Sequence, residues 1–274
     1  MSKDILRVVI SDMHSGSNYA LFLDHDWQGR HTSIIRPKSQ QKKIREQFVK
    51  FTEQIKIARK DRTIELIHNG DAIDGDHHHS GDVCTLDTTE QANIHIELMQ
   101  EFQKRIEWQA GDKLYYTIGT RIHTGEQENE IAKQLNAEMA GDFHSWEFLE
   151  LNTFGVLSWF VHHGPAAGDG ANEGNIMRNW LKKIYFDALK DERRPPDVVY
   201  SGHVHVPTYS TYIYRQKMNF KTMHGIITPS FQMKTKYALQ KVPTNRNKIG
   251  GVMQIITKDG LIGNPFFSVV DTQA

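Results

Sequence analysis

Five short apolar runs, each ending in a polar turn, set the strongest limit on how this chain can fold. Residues 5–10 stop at Ser11-Asp12, 64–68 at Asn69-Gly70-Asp71, 114–118 at Gly119, 156–162 at His163-Gly164, and 198–200 at Ser201-Gly202. Short runs rich in β-branched residues and bounded by such turns read as buried strands. Between them apolar residues recur at helical spacing. Residues 40–60 carry Ile44, Phe48, Phe51, Ile55 and Ile57, and 89–108 carry Ile94, Leu98, Phe102 and Ile106. Shorter helices are predicted at 126–139 and at 175–189, the latter stopped by Arg193-Arg194-Pro195-Pro196. Strands alternating with helices imply an α/β fold. After Pro207 the texture turns β-rich, with strands predicted at 209–215, 223–227, 252–257 and 265–270. This C-terminal part, 208–274, is expected to complete a second sheet. With no repeat and no low-complexity linker, a single domain is expected over 1–274.

Bulk composition narrows the classes of function. Lys plus Arg and Asp plus Glu number 33 each, so no global charge draws nucleic acid, a membrane or an acidic partner, and any such attraction is local. Cys84 is the lone cysteine, which excludes an intrachain disulfide and a thiolate pair for structural zinc. It reads as a small buried hydrophobe, and the setting as reducing and intracellular. No N-terminal apolar segment with a cleavage site and no span of bilayer length is visible, so a cytoplasmic protein without a membrane partner is expected. Histidine is abundant, at 15 residues, and several stand beside Gly or Asp.

Four of the strand ends carry a metal-ligand vocabulary. Asp12-Met13-His14 offers a carboxylate and an imidazole two residues apart, which strand alternation places on one side. In Gly70-Asp71-Ala72-Ile73-Asp74-Gly75 the glycines permit a tight turn and Asp71 emerges just past a strand, where a carboxylate can bridge two ions. His162-His163-Gly164-Pro165 and Gly202-His203-Val204-His205 add imidazoles. Any one of these alone is as well read as a capped turn or a satisfied core histidine. Together they point to a metal site, because open α/β sheets bind ligands at the carboxyl ends of their strands.

Asp12-x-His14, Gly70-Asp71-x-x-Asp74, His163-Gly164 and Gly202-His203-x-His205, in that order, resemble the calcineurin-like metallophosphoesterase superfamily over residues 5–207. The resemblance implies a four-layer α/β/β/α sandwich with two central mixed sheets and a dinuclear centre completed by a shared water or hydroxide. On that pattern Asp12, His14 and His205 hold the first metal, His163 and His203 the second, and Asp71 bridges. Two divalent cations are implied, manganese first; a carboxylate and imidazole set without thiolate equally suits iron, zinc, nickel or cobalt.

At the third motif the chain departs from the family. Where Gly-Asn-His followed by Asp or Glu is usual, it reads Gly119-Thr120-Arg121-Ile122-His123, so the Asn ligand is missing. Thr120 offers a neutral oxygen in its place, or water takes the position. His123, displaced by two residues, joins Asp71 and Asp74 in the expected catalytic set as general acid or phosphate contact. Arg121 can steady a phosphate oxygen through its planar donor fork, or simply pair at the surface. After Asp76, His78 or His79 can donate to substrate phosphate. His95, His144 and His224 stand in helical or strand patterns and read as structural.

The expected activity is hydrolysis of a phosphate ester, with a phosphodiesterase or nuclease acting on nucleotides or nucleic acid favoured. Cations mix with aromatic or apolar residues in 17–39 (Tyr19, Phe22, Trp27, Arg30, His31, Arg36, Lys38) and 214–248 (Arg215, Lys217, Lys221, Lys234, Lys236, Lys241, Arg246, Lys248). Such mixtures track a phosphate backbone while stacking bases, although an ordinary solvated face has the same composition. A phosphomonoesterase is the alternative within the class. A metal-binding scaffold that has lost turnover is the alternative outside it.

Overall fold

The computed structural model describes residues 3–29, 34–75, 81–124, 127–168, 172–235 and 248–271, with only the course of the backbone at 122 and 123. The first sheet has strand order β10-β9-β1-β2-β3 and the second β4-β5-β6-β8-β7. In chain order the elements are β1 (Ile5–Ile10), α1 (Ser39–Arg59), β2 (Thr63–Asn69), α2 (Thr88–Arg105), β3 (Lys113–Thr117), α3 (Arg121–Thr124) and α4 (Gln127–Gln134). They continue with β4 (Leu149–Thr153), β5 (Val156–Val161), α5 (Asn175–Lys190), β6 (Val198–Ser201), β7 (Thr208–Gln216), β8 (Asn219–Ile227), β9 (Lys248–Ile256) and β10 (Phe266–Asp271).

Side-chain alternation along each strand builds the layers. In β1, Leu6, Val8 and Ile10 enter a core shared with α1 and α2, whereas Ile5 and Val9 enter a second core between the sheets. On α1, Ile44, Phe48, Phe51 and Ile55 recur at helical spacing and are fully buried, with Phe48 and Phe51 packed against Phe102 of α2 and Phe231. Burial of each such phenyl ring contributes about 1.5–3 kcal/mol. Asp87 caps α2 by accepting the N–H groups of Thr89 and Glu90. A third core lies between the second sheet and α5, through Met177, Leu181, Met223 and Ile227. The layer order is therefore α/β/β/α, as the sequence resemblance implies.

Among the described residues, a buried ion pair sits between the sheets. Arg7 of β1 donates through Nε to Glu65 Oε2 of β2 at 3.0 Å, and through its other nitrogens to Thr153 and Ser158 of the second sheet at 2.9 and 2.5 Å. A guanidinium this deep is tolerable only because its donors are matched by a carboxylate and hydroxyls.

The expectation that residues 208–274 complete the second sheet needs correction. Only β7 and β8 do so; β9 runs antiparallel to β1, with Val9 opposite Val252, and β10 pairs with β9. β9 can take the open edge of β1 because its two faces suit two cores, Ile249 and Met253 on the helix side and Val252 and Ile256 between the sheets. Its Gly251 makes room for Phe51, whose ring would lie 2.4 Å from a Cβ there. Strand β4 was not expected from the sequence, since Leu-Glu-Leu-Asn-Thr holds no apolar run. The tight turn at Phe154-Gly155, with Asn152 Oδ1 accepting the Gly155 N–H at 3.1 Å, makes it a hairpin partner of β5. The helix predicted at 126–139 is the shorter α4. No helix among the described residues is long and apolar enough to cross a membrane.

Candidate metal centre

Strands β1, β2 and β3 are mutually parallel, as are β5 and β6, so the residues that follow them emerge together. Backbone bonds tie these loops across the strands: Asp12 N–H to Gly70 O at 2.9 Å, His14 N–H to Asp71 O at 3.0 Å, and Gly202 N–H to His162 O at 3.0 Å. The two sheets are joined at the same level, where Asn69 Nδ2 donates to Val161 O at 3.2 Å and His203 N–H donates to the Asp12 carboxylate at 3.0 Å.

Asp12, His14, Asp71, His203 and His205 all hold left-handed backbone, with φ of 53°, 44°, 54°, 71° and 57°. Each such residue costs about 1–3 kcal/mol, and strain of this kind persists where the surroundings over-determine it. Strand alternation is thus not what brings Asp12 and His14 together; tight turns after the strand do. The same crowding explains two motif glycines. A Cβ on Gly119 would lie 2.2 Å from the Asp71 nitrogen, and one on Gly70 would lie 2.4 Å from His162 Nδ1.

Three overlapping donor groups result, each with its ligating atoms within 4.8 Å of one another: Asp12, His14 and His205; Asp12, Asp71 and His162; and His162, His163 and His203. His205 Nε2 lies 3.3 Å from Asp12 Oδ1, and His14 Nε2 lies 3.8 Å from Asp71 Oδ2. The Asp71 carboxylate also accepts the Thr120 N–H at 2.6 Å, while the Thr120 hydroxyl lies 3.3 Å from both Asp71 Oδ2 and His163 Nε2. Asp12, His14, Asp71, Thr120, His163, His203 and His205 are therefore neighbours.

His162 is the residue that sequence reasoning passed over in favour of His163. It is buried, and its Nδ1 lies 2.8 Å from the Asn69 carbonyl, which can only accept. Nδ1 is thereby committed to Asn69, and Nε2 points into the cluster. That atom lies 3.1 Å from Asp71 Oδ2 and 3.9 Å from Asp12 Oδ1. A buried imidazole nitrogen facing two carboxylates fits a divalent cation, which would take the place of its proton. The signal available in the sequence was position, since His162 is the first residue past β5.

Electrostatics agree with that fit. Burial opposes charge on His14, but the Asp74 hydrogen bond and Asp71 raise it to about 9. Burial likewise opposes charge on His162, and Asp12 and Asp71 raise it to about 10. Burial works against ionised Asp12 too, and His205 and His162 more than compensate, holding it well below the usual carboxylate range. His163 and His203 are pushed down, first by burial and then by His162, and so favour the neutral form that binds metals. A nest of carboxylates that draws protons onto its own imidazoles is one that divalent cations can satisfy.

Around the donors lies a supporting layer. Asp74 Oδ1 sits 3.0 Å from His14 Nδ1 and accepts from Gln232 Nε2 at 3.1 Å, so Asp74 lies behind His14, orienting its ring. Ser11 donates to Asp12 Oδ2 at 2.5 Å. Glu128 of α4 and Gln232 had no motif to mark them. His95, read as structural, is buried, with Nδ1 3.1 Å from Ser15 Oγ and Nε2 2.9 Å from the Tyr116 hydroxyl. His144 meets the Ala137 carbonyl and His224 the Tyr209 hydroxyl.

Other candidates stand elsewhere. Arg121, 81% exposed, donates to Glu147 at 2.5 Å. The His123 backbone lies on α3 and its side chain is outside the described residues, as are His78 and His79. Phe22 and Trp27 belong to the helix-side core rather than to an open stacking surface. Arg215, Lys217 and Lys221 are exposed on the β7–β8 hairpin, and Lys236, Lys241 and Arg246 fall outside the described residues.

No family model matches the chain, and no curated protein matches its sequence. Among solved structures it is similar to a dimetal phosphatase from Danio rerio, 7% identical over 98% of this chain and 99% of that one, TM-score 0.44. It is similar also to a predicted phosphoesterase from Streptococcus pneumoniae, 11% identical over 97% of this chain and 99% of that one, TM-score 0.32. A third is the NAD nucleotidase of Haemophilus influenzae, 10% identical, TM-score 0.44, where the match takes in 98% of this chain and 50% of that one. These are similarities of fold alone.

Proposed function

We propose that this chain is a two-metal hydrolase of phosphate esters. Asp12, His14 and His205 hold one divalent cation, His162, His163 and His203 hold the other, and Asp71 lies between them. The observation that carries this reading is His162 Nε2, buried 3.1 Å from Asp71 Oδ2 and 3.9 Å from Asp12 Oδ1, where two of the donor groups meet. A pair of divalent cations supplies charge that acidifies water and offsets the charge developing on phosphoryl oxygens. The chain's own groups do the rest. Asp74 and Asn69 fix which imidazole nitrogens face inward, and Thr120 steadies Asp71 where the usual Asn is absent. His123 is proposed as the general acid or phosphate contact. Manganese is the proposed metal, with iron, zinc, nickel and cobalt compatible with the same donors.

For substrate we propose a phosphodiester of a nucleotide or nucleic acid. The support is compositional, in the mixture of cations with aromatic residues over 17–39 and 214–248 on a molecule of zero formal net charge. Arg215, Lys217 and Lys221 lie toward the end of the β7–β8 hairpin away from Ser201 and the donor cluster. Purified protein with added manganese should release nitrophenolate from bis(p-nitrophenyl) phosphate faster than from the monoester, and lose that activity to a chelator. Preference for the monoester makes it a phosphatase. Failure on both esters with two manganese ions bound would instead mark a metal-binding scaffold.

A further inference from the structure

Glu128 of α4 is 1% exposed, and no lysine or arginine pairs with it among the described residues. Its Oε1 accepts the Ala72 N–H at 3.1 Å, and its Oε2 accepts the Gly119 N–H at 2.5 Å and the Thr124 hydroxyl at 3.2 Å. Ala72 directly follows Asp71. Gly119 directly precedes Thr120, whose own N–H donates to Asp71 Oδ1 at 2.6 Å. One carboxylate thus closes a ring through two loops from different strands, at the point where Asp71 leaves a left-handed backbone. Burying an ionisable group without a cationic partner is costly, so the choice of residue calls for a reason. Two inward N–H groups need two acceptors; glutamine brings one acceptor and a donor, and an apolar residue brings none.

Resting on the two-metal reading above, we infer that Glu128 is a positioning residue for the metal pair. Without touching metal or substrate, it holds the loops that follow β2 and β3 together and so fixes the direction of the Asp71 carboxylate. Partners of this kind commonly account for about 10–100-fold in metal affinity.

The test uses the full chain and manganese alone, titrated calorimetrically into protein stripped with EDTA and dialysed. Wild type should take up two ions. Glu128→Gln, with an unchanged circular dichroism spectrum, should bind the weaker ion at least about tenfold less tightly. A merely structural role would lower the melting temperature and leave the affinities of folded protein alone. Manganese affinities within twofold of wild type therefore overturn the inference and leave the two-metal reading standing. Wild-type protein that takes up no divalent ion overturns both. If Glu128→Gln does not fold, Thr124→Val serves instead: it removes the hydroxyl held by Oε2 and should weaken manganese about threefold. Unchanged affinity there counts against the inference in the same way.

Discussion

At the scale of single residues, the centre depends on which imidazole nitrogens are committed elsewhere. His162 is committed at Nδ1 to Asn69 and faces Asp71 and Asp12 through Nε2. His163 is more exposed and near Thr120. Both are proposed ligands, but only His162 reaches the two carboxylates. His162→Ala is accordingly expected to reduce turnover of the proposed phosphate-ester substrate about a hundredfold with the fold retained, as loss of metal partners does. His163→Ala should have the smaller effect. Steady-state kinetics at saturating manganese decide this, and equal activity of His162→Ala and wild type removes His162 from the centre. The motif pattern alone favours His163 because it stands next to glycine. That choice needs the strand's last residue, which a sequence places only to within a residue or two.

At the scale of elements, the tight part is the turn after β3. Gly119 is packed so closely on Asp71 that Gly119→Ala forces the two loops apart, since its Cβ would meet Asp71 Oδ1 at 2.3 Å. On the proposed function turnover should fall by two orders of magnitude or more, a misplacement of about 1 Å being enough; a Gly119→Ala variant that turns over as wild type does would contradict the packing. Helix α4 adds a pH dependence. Burial, followed by the charge of Asp71, raises Glu128 from its ordinary 4.5 to about 7. The folded state then holds this proton more firmly than the unfolded one. Its contribution to stability is full below about pH 4.5 and is lost as pH rises through about 7, a change of about 3 kcal/mol. In EDTA-treated protein, urea unfolding should show the stability difference between wild type and Glu128→Gln shifting against wild type over that interval. A difference independent of pH would show that Glu128 is not protonated on folding. Neither α4's role nor β4 could be read from local pattern, because Glu128 looks like an ordinary solvated helix residue and β4 has no apolar run.

At the scale of the whole molecule, two sheets must be held at one height for their strand ends to share a centre. The Arg7–Glu65 pair with Thr153 and Ser158 crosses that interface. Arg7→Ala leaves Glu65 buried and uncompensated, with an expected loss of about 3–5 kcal/mol, whereas Arg7→Leu with Glu65→Leu together should be nearly neutral. Chemical denaturation of the three proteins distinguishes an interface that needs charge from one that needs only volume. Much of this architecture is legible in the chain: the five apolar runs, the amphipathic helices and the Asp and His at strand ends are local patterns, and local periodicity follows from backbone geometry. Partner choice is not local. Period-two alternation says that β9 has two buried faces but cannot say which edge it joins, and only the open edge of β1 beside Phe51 decides it. The left-handed turns, the inward-facing Nε2 of His162 and the Glu128 clamp exist only once distant strands are side by side. A residue's spacing is determined by its own chain; its unsatisfied atoms and strained angles are determined by everything that packs around it.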